Sequence, residues 1–192
     1  FGSFNNFSKI TDEAIKIWSN ILNLIPNSRL ILKTSRENLE FNRFIKLFSN
    51  EGIEKKRIVY INRISNYREH LELYNKIDIA LDTFPYNGTT TTFEALWMGV
   101  PVITKKGNSH VSSVGASILT NIGLQNLIAE NLNQYINLAK KISTDIDYLK
   151  VLRLGLREKL KKSSLCDGFS FAKDIEDAYK SIYEDYFRKH KI

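Results

Sequence analysis

Residues 77–104 read IDIALDTFPYNGTTTTFEALWMGVPVIT, and this stretch decides the fold. A short apolar run at 77–81 gives way to a loop containing Pro85, Asn87 and Gly88, then to a helical segment, then to a β-branched run at 100–104. Strand, loop, helix and strand in that order form a βαβ unit, in which a crossover helix joins two parallel strands.

The same alternation continues outward. Further strand candidates are residues 29–33 (RLILK) and 57–61 (RIVYI), and residues 1–4 end another strand. Between them lie two crossover helices. In residues 11–25, Thr11 is placed to cap the N-terminus, and Ile15, Trp18, Ile21, Leu22 and Ile25 form one apolar stripe that Pro26 ends. In residues 38–51, Phe41, Phe44, Ile45 and Phe48 repeat the pattern before Gly52. Downstream of Thr104 the strand signal stops, and helical patterns cover 111–122, 132–143, 145–162 and 171–190. These observations predict an α/β fold: a Rossmann-like parallel sheet with flanking helices and a helical C-terminal end. With 192 residues, three prolines and nine glycines, no repeat and no linker-like break, the chain reads as one lobe, residues 1–192.

In an open parallel sheet, ligands bind beyond the carboxyl ends of the strands, where loops meet helix N-termini. The loop 82–91 lies at such a place. Asn87 and Gly88 permit a tight turn, and Thr89, Thr90, Thr91 and Thr92 open the helix with hydroxyls and unpaired N–H groups. A helix N-terminus of this kind, carrying about half a unit of positive charge, suits a phosphate or pyrophosphate. The plainer reading of the threonines is a helix cap. Glu94, at the end of the first turn, is placed to accept hydrogen bonds from a ribose diol; its plainer reading is an acidic residue in a first helical turn.

The run LDTFPYNGTTTT (81–92) followed by EALWMGVP (94–101) resembles the donor-binding signature of the O-GlcNAc transferase and SPINDLY family. The resemblance extends through FNNFSKI (4–10), residues 57–70, VGASIL (114–119) and CDG (166–168) with Ser170 and Phe171. It implies the second lobe of a GT-B glycosyltransferase, the lobe that holds the nucleotide sugar. It also implies that the acceptor-binding lobe, and helical repeats in some relatives, lie elsewhere in a longer chain; an N-terminal Phe1 fits a fragment.

By position in the family, Lys9 is the cation that neutralises the donor phosphates and stabilises the departing diphosphate, and Asn6 is an amide contacting the nucleotide. His70 stacks on the base, the backbone of 65–68 reads the base edge, and Tyr86 faces the transferred sugar. A lysine and a helix N-terminus together stabilise a leaving diphosphate without a divalent ion, and no metal-ligand pattern is present in the sequence. The resemblance implies inverting transfer of GlcNAc from UDP-GlcNAc to serine or threonine of an acceptor protein. Transfer of fucose from GDP-fucose, or of glucose from UDP-glucose to asparagine, stays open, as does a non-catalytic nucleotide-sugar-binding module. The chain departs from many relatives at Ser113, where they carry an arginine.

Other features restrict the function classes. The net charge of +7 is spread over helical segments, with small clusters at residues 157–162 and 188–191. The aromatics fall on apolar helix stripes rather than among the basic residues, which argues against nucleic-acid binding. No stretch approaches a membrane-spanning length of about 18 apolar residues, and no signal sequence opens the chain. The single Cys166 excludes an internal disulfide and fits a reducing, cytoplasmic setting. His110, ahead of the 114–119 helix, lies toward the phosphate side, and His190 sits in the basic tail; neither is given a catalytic role.

Overall fold

The structure, a computed structural model, describes residues 1–34 and 39–190. Six parallel strands form one sheet in the order β3-β2-β1-β4-β5-β6. They are β1 (Gly2–Ser3), β2 (Leu30–Thr34), β3 (Ile58–Asn62), β4 (Ala80–Leu81), β5 (Val102–Lys105) and β6 (Ile128–Ala129). The register sets Gly2 beside both Ile31 and Ala80, so β1 is the central strand.

The helices are α1 (Asp12–Leu24), α2 (Leu39–Asn50), α3 (Tyr67–Glu72), α4 (Thr90–Trp97), α5 (Val114–Asn121), α6 (Leu132–Thr144), α7 (Ile146–Lys161) and α8 (Gly168–His190). Each expected strand and helix is present, with β4 trimmed to its last two residues. The expectation that strands end at Thr104 is corrected: β6 extends the sheet by pairing Thr104 with Ile128. Two residues are too few to show a period-two pattern, so no sequence signal marked this strand. Asn38, the expected start of the second helix, lies outside the described residues.

α1 forms as its sequence dictates. The Thr11 hydroxyl accepts from Ala14 N at 3.1 Å, and Asp12 and Glu13 sit in the positive first turn. Ile15, Trp18, Ile21 and Leu22 are buried, whereas Ile25, past the helix end, is half-buried. Trp18 donates its indole N–H to the Tyr135 hydroxyl on α6 at 3.4 Å, and that hydroxyl donates to the Asp82 carbonyl at 2.9 Å. The core is therefore wired to the loop that follows β4. Replacing Thr11 with alanine removes the cap and a 3.3 Å bond to the Phe84 carbonyl. This change is expected to cost about 1 kcal/mol, seen as a melting point roughly 2–4 °C lower. An unchanged melting curve would show that the cap contributes nothing.

The strand order creates a crevice. From β1 the chain moves outward to β2 and β3, then returns to the other side of β1 as β4 and continues to β5 and β6. The connections leaving β1 and β4 therefore diverge at their carboxyl ends, and ligands of such sheets bind at that switch point. Residues 4–9 and 82–92 are those connections.

Candidate functional site

β1 delivers residues 4–10 to the crevice as an extended segment and a short 3-10 turn, Phe7–Lys9, whose N-terminus is capped by the Asn6 side chain. β4 delivers Asp82 and the loop leading to α4. The Lys9 ammonium spans the two, donating to the Asn87 carbonyl at 2.9 Å and lying 3.9 Å from the centre of the Tyr86 ring. Burial pulls the Lys9 pKa below the usual lysine value, and the charge of Asp82 pulls it back up.

The loop backbone is more committed than the sequence suggested. Gly88 N–H is bonded to Asp82 Oδ1 at 2.7 Å, and Thr92 N–H to the Thr89 carbonyl at 3.1 Å. The hydroxyls of Thr91 and Thr92 donate to Asn5 Oδ1 and the Gly88 carbonyl. This corrects the expectation that all four threonines open outward. The N–H groups of Thr89, Thr90 and Thr91 have no partner among the described residues, and the side chains of Thr89 and Thr90 are exposed. Anion-binding capacity thus concentrates in three backbone donors at the start of α4.

Asn87 is buried and braces the loop. Its Nδ2 donates to the Thr83 carbonyl at 2.9 Å, its Oδ1 accepts from Gly115 N at 3.3 Å, and its N–H reaches the Val111 carbonyl at 2.8 Å. Asn6 keeps its carboxamide oxygen on Ser8 N, while the residue remains exposed. Ser113 bonds the Gly107 carbonyl, and His110 is exposed in the turn before α5.

His70 and Glu94 occupy a second cluster. His70 is 8% exposed, which excludes its reading as a helix-surface histidine. Its Nε2 lies 2.9 Å from Glu94 Oε2, and its Nδ1 lies 2.5 Å from Lys33 Nζ. A lysine ammonium only donates, so Nδ1 accepts and Nε2 carries the hydrogen given to Glu94. Tyr74 OH donates to the same Glu94 oxygen at 2.9 Å and lies 3.3 Å from the Thr91 carbonyl, linking this cluster to the loop. Burial and the Glu94 carboxylate push the Tyr74 pKa far above the usual tyrosine value. Tyr67, beside His70 with ring centroids 6.1 Å apart, is exposed and offers the wider open aromatic face. Asn66 caps α3 through Arg68 N and Glu69 N, which holds residues 66–69 in place.

The sequence reading missed Asn5, Asp82, Lys33 and Tyr74. Asn5 and Asp82 stood inside the recognised motifs without a role. Lys33 ends an apolar strand at the sheet edge where ligands bind, and Tyr74 follows His70 by four residues on the same helical face. Each of these was a usable signal.

Comparison with known proteins agrees with this geometry. Residues 1–175 match glycosyl transferase family 41. The protein named Probable UDP-N-acetylglucosamine–peptide N-acetylglucosaminyltransferase SPINDLY of Solanum lycopersicum is 43% identical over 97% of this chain and 20% of its own length. A UDP-N-acetylglucosamine–peptide N-acetylglucosaminyltransferase of Caenorhabditis elegans is 30% identical over 97% of this chain and 16% of its own. This chain therefore spans about one-fifth or less of the curated relatives it matches. Among solved structures, an O-GlcNAc transferase of Thermobaculum terrenum superposes with a TM-score of 0.93 at 35% identity, covering 98% of this chain and 36% of that one. An Anabaena protein solved with UDP and glucose shares the fold at a TM-score of 0.65 and 15% identity, over 94% of this chain and 47% of that one. With the family matched over residues 1–175 and a relative 43% identical over 97% of this chain, the chain belongs to glycosyl transferase family 41.

Proposed function

We propose that this chain is the donor-binding lobe of an inverting protein glycosyltransferase that transfers GlcNAc from UDP-GlcNAc to serine or threonine. The observation that carries the reading is the set of three N–H groups, Thr89 to Thr91, that have no partner among the described residues and stand at the start of α4, beside the switch-point crevice that Lys9 also borders. The names of the SPINDLY and Caenorhabditis elegans relatives supply the donor and the peptide acceptor.

In this reading the diphosphate sits on the N-terminus of α4, and Lys9 leaves the Asn87 carbonyl to meet it. The ribose lies against Glu94 and the base beside His70, while Tyr86 borders the sugar. Attack by the acceptor hydroxyl on the anomeric carbon breaks its bond to the diphosphate oxygen and places negative charge on the departing UDP. Lys9 and the helix N-terminus stabilise that charge as it develops.

The acceptor side belongs to a second lobe. α8 is exposed along its length except for half-buried Phe187, and Phe171, Ile175, Tyr179, Ile182, Tyr183 and Tyr186 form one apolar stripe on it. An unpartnered stripe of this kind marks a docking face, here for the remainder of the longer protein. Among the described residues, no helix is long and apolar enough to cross a membrane.

Calorimetric titration of the chain tests the assignment. UDP and UDP-GlcNAc are expected to bind with the same affinity in magnesium and in EDTA, because Lys9 and backbone donors supply the charge. Binding that requires a divalent ion would overturn the metal-independent part. Preference for GDP and GDP-sugars would replace the donor.

A further inference from the structure

The loop that carries the free N–H groups is held from beneath by a carboxylate with no part in the chemistry above. Asp82 is 1% exposed and accepts from four donors: Gly88 N at 2.7 Å, Thr104 Oγ1 at 2.7 Å, Thr83 N at 2.9 Å and Asn5 Nδ2 at 3.4 Å. Asn5, itself buried, is a two-ended link. Its Nδ2 faces Asp82, and its Oδ1 accepts the Thr91 hydroxyl at 2.8 Å. The path from Gly88 through Asp82 and Asn5 to Thr91 closes a ring around the first turn of α4.

There is no slack in this ring. A Cβ on Gly88 would stand 2.4 Å from Thr91 Oγ1 and 2.6 Å from Asn5 Oδ1, and one on Gly115 would stand 2.8 Å from Asp82 Oδ2. Every group facing the carboxylate is a donor, which a group that only accepts satisfies and an amide does not. Electrostatics alone do not favour an anion here. Burial pushes the Asp82 pKa up to about 6 in spite of its donors and Lys9, and a buried anion behind a diphosphate repels it. What the carboxylate supplies is geometry.

We infer that Asp82, together with Asn5, is the positioning residue of the diphosphate loop: it fixes Gly88 and Thr91 so that the Thr89, Thr90 and Thr91 N–H groups face the ligand, and turns the Thr91 hydroxyl inward. The inference rests on the diphosphate placement given under the proposed function. Asp82→Asn keeps the shape but replaces charge-assisted bonds by neutral ones, about half as strong, and brings donor hydrogens against donors.

The test is titration of the chain and its variants with UDP and with uridine, which shares the base and ribose but has no phosphate. For Asp82→Asn, UDP affinity is expected to fall about tenfold while uridine affinity is unchanged. A folded variant that retains UDP affinity, or that loses UDP and uridine equally, overturns the positioning role. If Asp82→Asn does not fold, Asn5→Ala removes both ends of the link between Asp82 and Thr91 and leaves Asp82 its bonds to Gly88, Thr83 and Thr104. Its expected loss is about threefold for UDP only, and no loss overturns the role. Failure of the unsubstituted chain to bind UDP removes the diphosphate placement and the inference with it. A chain that binds UDP yet ignores both substitutions keeps the placement and loses only the positioning role.

Discussion

Replacing Lys9 with alanine is expected to weaken UDP binding by about 1.5–3 kcal/mol, roughly ten- to a hundredfold, while the chain stays folded. Among the described residues the ammonium touches two groups, the neutral Asn87 carbonyl and the Tyr86 ring. Neither matches a diphosphate, because both are neutral groups, whereas a diphosphate oxygen adds an opposite charge to the hydrogen bond. Lys9 therefore gains on meeting the ligand, and alanine forfeits that gain. Folding is spared because the residue is half-exposed at the end of a short turn, and its loss leaves Asn87 held by its own bonds to Thr83, Gly115 and Val111. Lys9→Arg keeps the charge but brings a planar fork where a compact ammonium fits, so partial rescue is expected. A folded Lys9→Ala variant with full UDP affinity would remove Lys9 from the site.

The sheet was legible because its signals are local. The βαβ unit at 77–104 carries its own turn residues and its own change of period, and α1 carries its cap. β6 was not, since two residues hold no pattern and their pairing with β5 is a long-range fact. The stripe on α8 marked a helix correctly but did not say what covers it, because amphipathicity gives a direction and not a partner.

The site was legible where function needs an exposed group and obscure where it needs a buried one. Lys9, Gly88 and the threonines announce themselves by type and spacing. Asp82, inside the same motif, does not. Its four donors come from β1's extension, the loop and β5, segments joined only by folding. The threonine run misled for the same reason: Asn5 on the β1 extension takes the Thr91 hydroxyl, and α4's own turn takes Thr92 N–H.

Glu94 carries the second large expectation. Expected from the sequence as an acid in a first helical turn, it would lose at most about 1 kcal/mol on conversion to glutamine, through the helix dipole alone; the structure corrects that placement, since α4 begins at Thr90 and holds no acid in its first turn. The structure gives it more to lose. One carboxylate oxygen accepts from both His70 Nε2 and Tyr74 OH inside a cluster closed by Lys33, and the His70–Glu94 pair is 11% and 9% exposed at the side chains. Glu94→Gln retains an acceptor but removes the charge that both donors and Lys33 face, so a stability loss of about 2–3 kcal/mol is expected by chemical denaturation. Stability alone does not reveal a ligand role. The ribose assignment adds that UDP affinity falls further than pyrophosphate affinity, since pyrophosphate has no diol. Tyr74 also contacts the Thr91 carbonyl, so a cluster that merely scaffolds α4 would disturb the diphosphate donors and weaken both ligands alike. Unequal losses place Glu94 on the ribose, equal losses leave it as a support for the loop, and no loss in either affinity returns it to the core.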